Sequence, residues 1–259
     1  MKINFLDEFH IEDIQSPTHP SDFSAHDDYT LLILRLPEVL DGEVLIHSYA
    51  FVTKEDETYL YDREEKHLVK LGSLFVMSEF LDEKMERLIK VLMQYHYEIE
   101  LLEDELYDKE YPDDFMEKWL TYKKNLSLFH RLLFFAILSF ELFQNYHKRH
   151  HSYKELAYDD LLEHMVRIRD LSQSGLEKLE NFYNFYRAKV DERMNRNIYY
   201  LTILSGIFLP LTLLTGFFGM NTGGLPFTTD EGGTWKVVLL AMGLEVLFFV
   251  PFLWQRFKK

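Results

Sequence analysis

The residues best suited to chemistry are neutral oxygen groups in a segment with almost no charge. Between Ile198 and Phe218 the only ionisable side chains are two phenols, those of Tyr199 and Tyr200. Hydroxyl groups and, just beyond the segment, a carboxamide interrupt the apolar run; they include Thr202, Ser205, Thr212 and Asn221. Neutral oxygens accept hydrogen bonds from the water shell of a cation and hold it weakly enough for release. These groups therefore suit reversible contact with a hydrated cation.

Cysteine is absent, which excludes thiolate metal sites and disulfides. Neither a glycine-rich phosphate loop nor a nucleophile motif is found, so the sequence does not predict an enzyme.

The net charge of the chain indicates which kinds of partner it can bind. The chain of 259 residues has a formal net charge of −15. Such a surface repels the phosphates of nucleic acid and gathers cations. The sequence therefore predicts no nucleic-acid partner.

Two apolar segments, residues 198–219 and 236–255, are long enough to cross a bilayer, which requires roughly 20 apolar residues. Lys and Arg precede the first segment and form a basic tail, residues 256–259, after the second. The connecting residues 220–235 contain neither. The positive-inside rule then predicts an external loop at 220–235 and both chain ends in the cytosol. The alternative is a buried helical hairpin in a soluble protein.

The elements that must position these groups begin with a sheet-containing layer at residues 1–76. Its strand candidates are aliphatic runs separated by Pro37 and the turn Asp41-Gly42, with two weaker runs following. The four runs are Tyr29–Leu36, Glu43–Val52, Thr58–Tyr61 and His67–Val69.

Three long helices are predicted to follow. Two occupy residues 77–150: one is capped by Ser78 and runs to about Tyr107, and the next runs from about Pro112 to about Lys148. Within the second, Leu132–Phe143 is apolar but too short to span, so it is interpreted as a packed face within or between subunits. The third begins near Ser152 and forms a stalk, residues 151–197, continuous with the first span.

The end of the first span carries a recognisable motif. It contains Gly219-Met220-Asn221, the upstream Pro210-Leu211-Thr212, and an Asn195 to Leu201-Thr202 pattern without a gap. Here the chain resembles the CorA family of magnesium and divalent-cation channels, closely over residues 155–259. The resemblance implies an α+β membrane protein, with a small cytosolic αβ domain, a stalk helix continuous with the pore span, and a second span. It also implies a funnel-shaped homopentamer, multi-pass in the bacterial inner membrane. The simpler interpretation of Gly219-Met220-Asn221 is a helix C-cap.

The resemblance assigns roles to these residues. Gly219, Met220 and Asn221 would form the selectivity filter, as a ring of neutral oxygens contributed by several subunits. The pore-lining face would follow a stripe with spacings of mostly three or four residues: Asn195, Ile198, Leu201, Thr202, Ser205, Leu209, Thr212 and Gly216. The family often has methionine where Ile198 and Leu209 stand. The apolar members have an alternative role in packing the helix bundle.

The resemblance also bears on two acidic positions. Asp160 falls where the family carries a carboxylate of an inhibitory Mg²⁺ site between subunits, with Asp159 and Glu163 beside it. A solvated acidic helix face explains the same three residues, and both interpretations stay open. Its partner carboxylate on the sheet domain cannot be placed from the sequence. Glu245 lies within the second span, where an ionisable residue usually signals function. Because that span is peripheral in the family, a protonated or hydrogen-bonded Glu245 is the expectation.

The identity of the transported ion is the property that the sequence determines least well. The leading prediction is Mg²⁺ influx, with Co²⁺ and Ni²⁺ as further candidates and Mg²⁺ as the regulatory ion. The segment Thr222-Gly223-Gly224-Leu225-Pro226 resembles the ZntB branch of the superfamily, which implies proton-coupled Zn²⁺ transport as the alternative. Many magnesium channels place an acid directly after this proline, whereas Phe227 stands here. A transport-inactive membrane scaffold or metal sensor is a third hypothesis.

Overall fold

The structure is a computed structural model of the whole chain. It describes residues 3, 5–40, 42–108, 114–148, 153–220, 223–227 and 231–257. The chain divides into two compact units, Met1–Tyr186 and Arg187–Lys259, called unit 1 and unit 2 below.

Unit 1 begins with a short helix and an antiparallel sheet. Helix α1 covers Glu8–Gln15, and the five strands of the sheet are neighbours in chain order. The strands are β1 Asp22–Ala25, β2 Thr30–Leu40, β3 Glu43–Lys54, β4 Glu57–Asp62 and β5 His67–Ser73. The turn between β2 and β3 contains Gly42 with a φ of +84°, a conformation that glycine adopts without strain.

Four strands lie where the aliphatic runs predict them, whereas α1 and β1 were not predicted. The prediction that Pro37 separates two runs is wrong, because Pro37 lies inside β2 opposite Ile46. Proline has no N–H, so it disrupts a strand that must bond to a neighbouring strand on each side. In the described residues β1 pairs with β2 only as far as Ile33. At Pro37, β2 is therefore paired with β3 alone, and the missing N–H is tolerated.

Alternation along β2 and β3 divides the apolar core between the two faces of the sheet. Leu32, Leu34 and Phe51 belong to the cluster shared with the long helices. Ile33 and Val52 belong to a smaller cluster that contains Ile14 of α1. Successive strand side chains point to opposite faces, which is why adjacent residues join different clusters.

The long helices are α2 Leu74–Asp108, α3 Phe115–His147 and α4 Glu155–Phe218. The predicted cap at Ser78 is wrong, because α2 starts at Leu74 directly after β5. The Ser78 hydroxyl donates to the Phe75 carbonyl inside the helix, at 2.7 Å. Leu74 and Met77 are fully buried, so core packing starts the helix one turn earlier than the capping signal suggests.

Hydrogen bonds hold α4 against α3 and α2 within unit 1. The Trp119 indole N–H donates to the Leu179 carbonyl at 2.8 Å, which joins α3 to α4. The Tyr158 hydroxyl donates to the Leu74 carbonyl at 2.8 Å, which joins α4 to the start of α2. Burial raises the pKa of Tyr158, so this hydroxyl keeps its donor proton.

Unit 2 contains the second part of α4 and helix α5, Gly233–Phe257. Helix α4 runs without interruption through the predicted stalk and first span, with Pro210 inside it. In the described residues two helices are long and apolar enough to cross a membrane, α3 and α4. Half of the apolar window of α3 is buried, as in the core helix of a domain, whereas none of the window in α4 is buried.

Candidate functional site

The predicted pore-lining residues share one property in the structure, which is exposure to the outside of the chain. All eight are exposed, from Asn195 to Gly216. Leu201 and Leu209 are 63% and 69% exposed, which is unusual for leucine outside a lipid or protein environment. The less exposed residues of this segment, including Leu211, Leu214 and Phe218, lie on a different face of α4.

A groove of about 640 Å³ runs along the exposed face of α4 in unit 2. Five predicted site residues line it: Ser205, Leu209, Thr212, Gly216 and Met220. None of the described side chains that line it carries a charge. The groove is therefore an apolar surface with a few neutral oxygens, and the residues that line it recur at helical spacing along α4.

The hydroxyl groups of this helix present acceptor oxygens. Thr202 donates its proton to the Ile198 carbonyl at 2.8 Å, and Thr212 donates to the Phe208 carbonyl at 2.7 Å. With the proton directed to the helix backbone, the lone pairs of each oxygen remain available. The water molecules around a cation are hydrogen-bond donors, so these hydroxyls match a hydrated cation.

The backbone geometry at the end of α4 explains why residue 219 of the predicted filter is a glycine. The Gly219 N–H donates to the Thr215 carbonyl at 2.8 Å, and the Met220 N–H to the Phe217 carbonyl at 3.4 Å. A Cβ at Gly219 would lie 2.8 Å from the Thr215 oxygen, closer than Cβ atoms normally approach. Gly219 thus allows the helix to close tightly on its last turn. Asn221, the central residue of the predicted filter, lies outside the described residues.

A separate cluster of metal-ligand type lies in unit 1. One ligand atom from each of Asp82, Asp160 and His164 lies within 4.8 Å of the others. His164 Nδ1 lies 2.7 Å from Asp82 Oδ1, so the imidazole N–H donates to that carboxylate. Asp82 belongs to α2, whereas Asp160 and His164 stand four residues apart on one face of α4.

Contacts along both helices hold this cluster in place. The buried Tyr158 anchors α4 two residues before Asp160. Lys84, two residues after Asp82, contacts Glu38 of β2 at 2.8 Å and lies over the Tyr49 ring. Burial raises the pKa of Glu38, but the hydrogen bond and charge of Lys84 outweigh it, and the pKa lies below its ordinary value.

The three predicted regulatory carboxylates separate in the structure. Asp160 joins the cluster, whereas Asp159 accepts a hydrogen bond from the Gln144 amide at 3.4 Å and Glu163 pairs with Arg167 at 2.9 Å. Asp82 and His164 were not predicted as site residues. Only the spacing of Asp160 and His164, one helical turn apart, signals a shared face in the sequence.

The donor set fits a divalent ion. Two carboxylates and an imidazole suit Zn²⁺, Co²⁺ or Ni²⁺, which accept nitrogen ligands, and carboxylates alone also suit Mg²⁺. A metal ion at Nδ1 would replace the proton now donated to Asp82. Ligand bonds of about 2.0–2.2 Å require the three donors to move closer by a change of rotamer.

The fold and these surfaces define a membrane protein with an uncharged groove along a long helix. The family model of the CorA-like Mg²⁺ transporter protein matches residues 2–259, and the chain belongs to this family. This finding confirms the predicted resemblance and the prediction of a transporter rather than an enzyme. Membrane localisation follows from the family and the candidate spans.

Curated relatives include transporters of different ions. The chain is 28% identical over 190 residues to the cobalt/magnesium transport protein CorA of Methanocaldococcus jannaschii, covering 70% of this chain and 57% of the relative. It is 38% identical over 71 residues to the divalent cation transporter CmaX of Pseudomonas aeruginosa, covering 27% and 20%. It is 35% identical over 101 residues to the zinc transport protein ZntB of Yersinia enterocolitica, covering 36% and 31%. The matches thus span between 20% and 57% of the length of these relatives.

Solved structures support the same fold. The complete structure of the CorA magnesium transporter from Methanocaldococcus jannaschii superposes with a TM-score of 0.74 at 21% identity, covering 95% of this chain and 82% of that one. The full-length CmaX protein gives a TM-score of 0.73 at 18% identity, covering 98% and 82%. The predicted α+β architecture with long helices is therefore confirmed.

Proposed function

We propose that this chain conducts divalent metal cations across a bacterial inner membrane, with Mg²⁺ influx as its leading activity. The observation that carries the proposal is the exposed, uncharged face of α4, whose hydroxyls present acceptor oxygens along a groove. Family membership supports the same activity. A hydrated Mg²⁺ keeps its water shell, so a wall that accepts hydrogen bonds from that shell allows passage without dehydration.

The proposed assembly is a homopentamer in which α4 from each copy lines a central pore. A single chain leaves the groove of α4 open, so a closed pore needs several copies. Residues 198–219 form the pore span and residues 236–255 form the second span, with 220–235 outside and both chain ends in the cytosol. The rings of Gly219, Met220 and Asn221 form the selectivity filter at the outer end.

Zinc is the second candidate cargo. ZntB relatives match 36% to 39% of the chain at 33% to 35% identity. Gly224, with a φ of +90°, lies in the segment that resembles the ZntB branch. Neutral oxygens do not by themselves discriminate these ions, because affinity orders depend on ligand type.

The cluster of Asp82, Asp160 and His164 is proposed as a regulatory divalent-cation site. A bound ion would neutralise the two carboxylates and link α2 to α4, the helix that continues into the pore. Binding in a non-conducting state favours that state, so loss of the ion favours opening. Glu163 and Asp159, which contact other groups, remain outside the proposed ligand set.

Ion flux into proteoliposomes tests the proposed transport. We expect the full-length chain to take up Mg²⁺, and Asn221→Ala to lower the uptake at least about 10-fold, because the mutant lacks the amide oxygens of the filter. Asn181→Ala is the matched control, since Asn181 is exposed on α4 within unit 1. Faster uptake of Zn²⁺ than Mg²⁺ would favour the zinc alternative. Absence of flux for any divalent ion would favour a scaffold or sensor.

Metal titration tests the regulatory site. Wild-type flux should fall as Mg²⁺ or Co²⁺ rises on the side of unit 1, whereas Asp160→Asn should remain open at about 10-fold higher concentration. Asp159→Asn is the control, because it makes the same chemical change at the adjacent residue. Equal inhibition of wild type and Asp160→Asn would contradict the site.

A further inference from the structure

Glu245 is the one carboxylate in the apolar part of α5 between Val237 and Val250. A charged side chain within a membrane span is costly and is kept where it faces a cavity, a partner or a functional site. The relevant question is therefore what the Glu245 carboxyl faces in this chain.

Glu245 lines an open-sided cavity of about 920 Å³ in unit 2. Both α4 and α5 line it, together with Gly219, which directly follows α4. Helix α4 contributes Thr215 and Phe218. The face of α5 with Glu245 contributes residues at helical spacing: Val238, Ala241, Met242 and Val246. These lining residues make the cavity predominantly apolar, and it reaches Gly219 of the proposed filter.

One carboxyl oxygen of Glu245 lacks a hydrogen-bond partner. Its Oε1 is buried, and no donor in the described part of the chain reaches it. No other titratable or charged side chain lines the cavity from the described residues of α4, of α5 or of the segment before α5. The nearest charged residue along the chain is Lys236, near the start of α5, and its ammonium lies over the Phe227 ring.

We propose that Glu245 is an intramembrane proton-binding site in the cavity between α4 and α5, and that its protonation state controls cation flux. The effect on flux rests on the proposed transport function. An isolated carboxylate in an apolar surrounding is strongly disfavoured unless it takes up a proton or pairs with a cation. Because no described residue of the cavity wall carries a positive charge, a proton is the partner that the geometry assigns.

The cavity connects this proton to the pore. Glu245 and the last turn of α4 line this cavity together with Gly219, which directly follows α4. An ionised carboxylate requires water or a cation beside it, whereas the neutral carboxyl is compatible with the apolar wall. The ionised carboxylate therefore draws water or a cation into the cavity beside Gly219, whereas the neutral carboxyl does not. Cation flux through the proposed pore then depends on pH.

Chemical labelling tests the site without any measurement of transport. Dicyclohexylcarbodiimide reacts with protonated carboxyls in apolar surroundings. We expect it to form a stable adduct on Glu245 of the full-length protein in liposomes, with more adduct at low pH. Peptide mass spectrometry locates the adduct. Glu231, exposed before α5, is the internal comparison. An adduct on Glu231 equal to that on Glu245, or none on Glu245, would overturn the proposal.

Flux across a range of about pH 5 to 9 tests the coupling. Glu245→Gln is close in shape and permanently neutral, so its flux should equal the low-pH limit of the wild type at every pH. Glu231→Gln, the matched control, should keep the wild-type pH profile. A Glu245→Gln protein that still follows the wild-type profile contradicts the coupling. An adduct on Glu245 in a chain without any flux would support the proton site and contradict the transport function instead.

Discussion

The long helices of unit 1 and unit 2 are rich in apolar residues, but unit 1 buries many of them in its core, whereas unit 2 leaves them exposed. In α3 of unit 1, Phe129, Phe140 and Phe143 have no exposed surface. In α4 of unit 2, Leu209 and Leu213 are 69% and 73% exposed. Both helices are apolar enough to cross a membrane, but half of the apolar window in α3 is buried and none of that in α4.

This contrast separates two ways of removing apolar surface from water. Among the described residues, unit 1 contains the sheet, α1, α2, α3 and the first part of α4, so its own chain supplies the partners of a large apolar core. Unit 2 contains the second part of α4 and helix α5, and a pair of helices cannot cover its own outer surface. Its exposed leucines require lipid or further copies of the chain. Each prediction below tests one part of this contrast, from the largest expected effect to the smallest.

Truncation of a core aromatic should have the largest effect. Phe140→Ala removes a fully buried ring from α3, and we expect a loss of about 3–5 kcal/mol in the free energy of unfolding. Chemical denaturation of the detergent-solubilised chain measures it. Phe134→Ala on the same helix is the control, because Phe134 is 45% exposed. Equal losses would show that the outer face of α3 is also packed.

A charge on an exposed leucine should distinguish lipid from water. Leu247→Arg on α5 should lower membrane insertion by about 2.5–3.5 kcal/mol, the cost of arginine near the bilayer centre. Leu156→Arg, at an 85% exposed position in unit 1, should have almost no effect. Extraction of membranes at high pH measures insertion. Normal insertion of Leu247→Arg would exclude α5 as a lipid-facing span.

Two glycines of α4 test where the helix is covered. A Cβ at Gly175 would lie 2.8 Å from Leu126 Cδ1, and Leu126 is fully buried, so Gly175→Ala should cost about 1–2 kcal/mol. Gly216 has open space around it in the single chain, so Gly216→Ala should not destabilise that chain. Thermal unfolding measures both. A lower flux with unchanged unfolding in Gly216→Ala would show that Gly216 faces other copies in the pore.

The ion pair between Glu38 and Lys84 should give the smallest effect, confined to a pH window. The pKa of Glu38 is lowered in the folded state, so its contribution is complete above the ordinary pKa and is lost as pH falls through the lowered value. Lys84→Met should therefore destabilise unit 1 by about 0.5–1 kcal/mol near neutral pH. Wild type and mutant should converge in acid. A constant difference down to low pH would assign the effect to packing of the Lys84 stem.

Periodic patterns in the sequence predicted the large elements well. The stripe from Asn195 to Gly216 repeats at helical spacing, and its members share the exposed side of α4. Short elements were missed: β1 consists of only Asp22–Ala25, which is too few residues for a pattern. The start of α2 was misplaced, because burial of Leu74 outweighs a capping preference worth about 1 kcal/mol.

The metal-type cluster shows the limit of such reasoning. Asp82 and His164 are 82 positions apart, and no local spacing relates them. They meet because Tyr158 and the buried face of α4 hold α4 against α2. The direction of Glu245 depends likewise on which face of α5 lines the cavity with α4.

The sequence by itself determined the apolar segments, the motif Gly219-Met220-Asn221 and the family, because length, charge and local spacing are properties of neighbouring residues. Only the tertiary structure decided which carboxylates meet a histidine and which one lies alone in a cavity. Those outcomes depend on how helices pack, and packing is set by contacts between residues far apart in the chain.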